Sequence, residues 1–132
     1  MSLVVPDVGE ALMLGRILNK TAQDDLRIYL YTNDFVPVEG TVISDLDEGT
    51  ITHKVLTGAS WSISGSPTEA SYAEQEFVIG AGAGVSVYGF FITDATGVAG
   101  TGLVWAERFT DGPYVVPAGG GSVFVTPKIQ LA

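Results

Sequence analysis

The chain contains no cysteine. That absence removes disulfide frameworks, thiolate nucleophiles and Cys-ligated zinc together, and it leaves the redox compartment open. Basic charge is nearly as scarce. Six Lys and Arg stand against fifteen Asp and Glu, for a net charge of -9, so a nucleic-acid backbone or an anionic lipid surface is repelled at most approaches and neither is expected as a partner. Long apolar runs are missing too: none approaches the roughly 18 residues of a membrane span. The opening Met1-Ser2-Leu3-Val4-Val5-Pro6-Asp7 has neither the basic start nor the apolar core of a signal peptide. The expectation is a soluble protein made without one.

What is present is apolar and turn-rich. A length of 132 residues fits a single domain, 1–132, that can bury roughly two thirds of its unfolded surface without cross-links. The 46% of hydrophobic and 10% of aromatic residues exclude disorder as the dominant state. Seventeen glycines and six prolines, against 16% charged residues, point to many turns joining short strands.

The one helical signal is early. Asp7 is placed as N-cap with Glu10 as its capping-box partner, and Val8, Ala11, Leu12, Gly15 and Leu18 recur on one face of a helix ending near Lys20. About three turns are not stable alone, so residues 1–20 form an arm that must pack on a sheet or a neighbouring subunit. Burying Leu12, Ile17 and Leu18 there would contribute roughly 5 kcal/mol before ordering costs. From Leu26 the period becomes two, and the strand candidates are 26–31, 50–56, 59–64, 72–79, 85–93, 103–109, 113–116 and 122–131. Gly/Pro turns separate them. The fold class is therefore all-β: a jelly-roll-like β-sandwich of about eight strands over 26–132, with a short N-terminal helix. Run 85–93 is apolar on both faces, so it is central, its second face covered by the helix, a loop or another subunit. Pro127 gives the last strand an edge character suited to intersubunit pairing. Phe91 and Phe124 join Leu12, Ile17 and Leu18 as the residues expected at an oligomer or partner contact.

Chemistry-bearing patterns are few. His53 lies in a candidate strand with no partner set for zinc, and no Gly-x-Ser-x-Gly elbow accompanies it, so the chain is not read as an enzyme and His53 is expected to be dispensable. Asp45, Asp47 and Glu48 cluster as a hard-cation set would, but lack EF-hand spacing and its closing glutamate; a solvated turn is the simpler reading. Glu69, Glu74 and Glu76 raise the question of paired glycosidase carboxylates, with no sign of a substrate groove. Glycine tracts 80–84 and 119–121 are not followed by Gly-Lys-Ser/Thr or by a helix, so they read as hairpin loops. Trp61 and Trp105 read as core residues rather than as a sugar-stacking platform. No metal or other cofactor is implied.

Several segments taken together resemble a known group. They are the run from Leu26 to Pro37 (LRIYLYTNDFVP), Ala59-Ser60-Trp61, the run from Tyr88 to Asp94 (YGFFITD), the run from Leu103 to Phe109 (LVWAERF) and the run from Val123 to Ile129 (VFVTPKI). Over most of the chain, from about Val5 onward, these look like small tailed-phage virion structural proteins, in particular capsid cement or decoration proteins of cyanophage-like viruses. Near Asp45 to Gly49 the chain departs from the group's usual Asp-Phe-Thr-Glu-Ala, with Leu46 and Asp47 in place of Phe and Thr, so that loop is expected to contact something different. The resemblance implies a protein made in the host cytoplasm that coats the outside of the phage head. It also implies a homo-oligomer, commonly a trimer, partnered by the major capsid protein. The alternative is a tail or receptor-binding module recognising a host-surface glycan or protein. Exposed tryptophans beside Asp or Asn would favour glycan binding, and buried ones the cement role.

Overall fold

The computed structural model describes residues 3–18, 25–65, 68–94 and 102–130. Among these the order is helix α1 (Asp7–Ile17), then β1 (Leu26–Tyr31), β2 (Lys54–Leu56), β3 (Ser62–Ser64), β4 (Glu69–Ser71), β5 (Gln75–Ile79), β6 (Val85–Val87), β7 (Gly89–Thr93), β8 (Leu103–Arg108), β9 (Tyr114–Val116), β10 (Gly121–Val125) and β11 (Lys128–Gln130). All pairings are antiparallel. A four-stranded sheet runs β2-β1-β7-β8, and smaller sheets are formed by β5 with β10, by β6 with β9, and by β11-β4-β3. The result is the expected all-β, sandwich-like fold with a short N-terminal helix.

The alternation in β1 sorts its side chains to two different cores. Ile28 and Leu30 lie on one side with Phe90, Ile92 and Trp105, and meet Phe77, Val87, Val116, Val123 and Val125 from the small sheets. Tyr31 lies on the other side with Phe91, Leu103 and Ala106, under a cover of Val8 from α1 and Phe35, Ile43 and Leu46 from the segment after β1. Each such aliphatic or phenyl group contributes roughly 1.5–3 kcal/mol when fully buried. Every residue of β7 is buried, as the doubly apolar run required, and the chain itself supplies both covers.

Several boundaries differ from the sequence expectation. The 85–93 run is two strands: at Tyr88 the chain passes from the β6–β9 sheet to the central one, its N–H donating to Tyr31 O and its carbonyl accepting from Phe109 N. Gly89 follows because Tyr31 lies over it; a Cβ there would stand 2.6 Å from the Tyr31 ring and 2.2 Å from Glu107 O. The 122–131 run divides at Pro127, which lacks a ladder N–H and whose carbonyl accepts from Tyr72 N. The 50–56 run forms a strand only from Lys54, since Ile51 N closes a turn onto Glu48 O. A 3-10 turn at Gly58–Ser60 shortens the next strand to β3, and β4 is an additional strand.

The helix is corrected in three respects. Pro6 rather than Asp7 holds the N-cap position, and no side chain caps it; Asp7 N donates to Glu39 O instead. The helix ends at Ile17 with Leu18 as its C-cap, and residues 19 and 20, expected to complete it, lie outside the described residues. Its inward face is set by Gly9 rather than by the widest apolar arc. The β7–β8 register shifts between Ile92, paired with Trp105, and Thr93, paired with Leu103, which leaves Val104 as an extra, bulged residue. Gly9 rests on that bulge: a Cβ at residue 9 would stand 2.0 Å from Val104 O. Leu12 and Met13 therefore pack against the main core, while Ala11, Ile17 and Leu18 face solvent. The helix is part of the sandwich, not a free arm, and Leu12 packs, partly buried, against the main core.

Gly9→Ala tests this seating. Alanine would favour an isolated helix by about 1 kcal/mol, but the contact with a backbone carbonyl outweighs it. A net loss of about 1–3 kcal/mol is expected in urea denaturation, and a variant as stable as the parent would show that α1 does not sit on Val104.

Candidate functional site

The residues expected to carry chemistry are dispersed or engaged in the fold. The His53 ring lies half-buried in the turn before β2, 5.0 Å from the Tyr29 ring. The acidic turn is a backbone clamp: Val42 N donates to Asp45 Oδ2 at 3.0 Å and Gly49 N to Asp47 Oδ1 at 2.9 Å. Asn33 closes it by donating Nδ2–H to Asp45 O and accepting from Asp47 N, both at 2.9 Å. Among the described residues no three His, Asp or Glu side chains gather where they could hold a metal. Glu69 approaches Lys128 at 3.8 Å, while Glu76 points outward from β5 opposite Phe124. Loop 80–84 borders a cleft of about 430 Å³ with Thr32, Thr50 and Ile51, and no charged side chain lines it. Trp105 is 3% exposed, and Trp61 packs edge-on against it with ring centroids 6.0 Å apart.

The contact residues separate cleanly. Phe91 is 2% exposed and stacks on Tyr29 with centroids 4.9 Å apart, so it is a core residue and not an oligomer contact. Its burial comes from the cover supplied by the segment after β1, which strand periodicity does not reveal. Phe124 is 53% exposed on β10. Around it lies a surface that the sequence reading did not assemble. Register sets Ser122 against Val78 and Phe124 against Glu76, so these four side chains share the outward face of the β5–β10 pair while Val123 and Phe77 turn inward. Val115 of β9, 72% exposed, and Tyr114 line a shallow depression of about 470 Å³ together with Phe124. No Lys or Arg lies on β5, β9 or β10. A surface of this kind is suited to apolar burial at its centre with charge at its rim.

Among the described residues two titratable groups are perturbed, both beside the central sheet rather than at this face. Burial pushes the Tyr31 phenol up to about 12, with Arg108 pulling the other way; its O–H donates to Phe35 O at 3.2 Å. Burial also holds the Glu107 carboxyl above its ordinary range. A raised carboxyl favours the protonated folded state, so its stabilising contribution is complete below the unfolded value and is lost as pH rises through the folded one.

The fold and surface define a class: an all-β, sandwich-like protein with an N-terminal helix and an outward apolar strand face. No protein-family model, curated protein or solved structure matches the chain.

Glu107→Gln should melt at a higher temperature than the parent at pH 7, with the difference vanishing on acidification below the ordinary glutamate range; a difference independent of pH would assign the effect to something other than the buried charge. Phe91→Asp should cost at least about 4 kcal/mol, whereas Phe124→Asp should cost about 1 kcal/mol or less. Equal losses in denaturant titrations would contradict the separation of core from surface.

Proposed function

We propose that the protein is a bacteriophage virion structural protein of the capsid cement or decoration kind, coating the outer surface of the head as a homo-oligomer against the major capsid protein. The observation that carries this reading is the apolar face around Phe124 and Val115, which the sandwich does not need for its own core. Its strands bear no positive charge, and the chain as a whole is strongly acidic. Such a surface suits a protein-facing site outside the shell better than a DNA-facing site within it. The inward position of Trp105, with Trp61 packed on it, favours the cement reading over a tail module that binds glycans, because a stacking platform needs exposed aromatic faces. The resemblance in strand and turn segments points the same way.

Quantitative mass spectrometry of separated heads and tails from the phage that encodes this chain tests the proposal. The protein is expected with intact heads, in copy number proportional to the major capsid protein and accessible to antibody on unopened particles. Recovery with tails alone, or in neither fraction, would overturn it.

A further inference from the structure

We infer that the C-terminal end of α1 in one copy of this protein seats in the β9–β10 depression of a second copy. Two of the exposed apolar features among the described residues bear on this pairing. One is the end of α1, where Ile17 is 78% and Leu18 73% exposed beyond the residues that fix the helix on β8. The other is the depression bordered by Val115 and Phe124.

Charge selects the pairing. Glu76 lies directly across from Phe124, so two depressions facing each other would bring like carboxylates together with no cation on their strands to separate them. The last turn of α1 carries Arg16 beside Ile17. Arg16 is half-buried and makes no ion pair among the described residues. A carboxylate brought by a neighbouring copy gives the partly exposed guanidinium an ion-pair partner. The two surfaces are different, so the contact is heterologous: each copy gives one and receives one, and a ring closes where the rotation allows. A helix end and a shallow depression fall short of the roughly 800 Å² per partner of a stable pair, so single contacts are weak and closure strengthens them. The inference concerns the protein alone, and its test is independent of where the assembly sits on a virion.

Analytical ultracentrifugation of the full chain and of two surface variants tests it. The parent is expected to gain mass with concentration, while Ile17→Asp and Phe124→Asp each stay monomeric with unchanged circular dichroism. Mixing the two restores one contact per pair, because the first variant keeps its depression and the second its helix end; dimers and nothing larger should form. The absence of cysteine permits a second readout. Under mild oxidation Ile17→Cys mixed with Phe124→Cys should give at least tenfold more covalent dimer than Phe124→Cys alone or than Ile17→Cys mixed with the exposed control Thr52→Cys. A parent that is monomeric at all concentrations, a mixture of Asp variants that remains monomeric, or Phe124→Cys cross-linking as readily alone would each overturn the inference.

Discussion

A strand with no polar face governs this fold. Gly89–Thr93 is buried along its whole length, so its backbone must be paired on both edges and its side chains covered on both faces. The edges are met by β1 and β8. One face is met by the small sheets through Phe77, Val87 and Val123, and the other by α1 and the segment carrying Phe35, Ile43 and Leu46. The helix alone is too short to be stable and the small sheets have only two or three strands, so neither cover persists without the central strand. The layers stabilise one another through β7.

The covering segment after β1 has little regular structure, and it is held by polar contacts instead. Arg108 reaches from the end of β8 to Asp34 at 2.6 Å and to Phe35 O at 3.2 Å, with its guanidinium over the Tyr88 ring. The ion pair itself contributes little, since the Asp34 side chain is 71% exposed and screened. The bond to Phe35 O and the stacking on Tyr88 fix where the segment begins, and the Asn33–Asp45–Asp47 clamp fixes where it returns. Asp45 and Asp47 therefore act on the backbone, a use their spacing alone does not distinguish from cation binding.

Much of this architecture is legible in the residues. The alternation in 26–31 and the doubly apolar 85–93 run locate the central strands, and the small residues around the tryptophans agree with their inward packing. Illegible features are those decided by distant neighbours. Tyr88 belongs to an apolar run, and only the crossing of Tyr31 over Gly89 makes it a break between sheets. Gly9 looks like one more glycine in a helix, and only the bulge at Val104 makes it the residue that sets the helix rotation. Because α1 has apolar residues around most of its circumference, its pattern alone does not choose a face: Leu12 packs against the core while Ile17 and Leu18 are exposed. For the surface, alternation marks Val78, Val115 and Phe124 as outward, but their adjacency depends on β9 lying beside β10 and β10 beside β5. No local signal carries that.

The apolar side chains left outside have a physical cost that bears on their role. β7 is already covered by the chain itself, so Phe124, Val115 and Ile17 are not required for closure of the core, and a polar residue at each would fit a solvated strand or helix end better. Left unopposed, such side chains promote indiscriminate association. The net charge of -9 acts against that, since copies repel one another at long range. Arg16 lies beside the exposed end of α1 without an ion-pair partner among the described residues, whereas Arg108 and Lys128 are paired within the chain. In the proposed assembly the acidic composition and the apolar strand face are complementary: one suppresses random contact and the other rewards a single registered one.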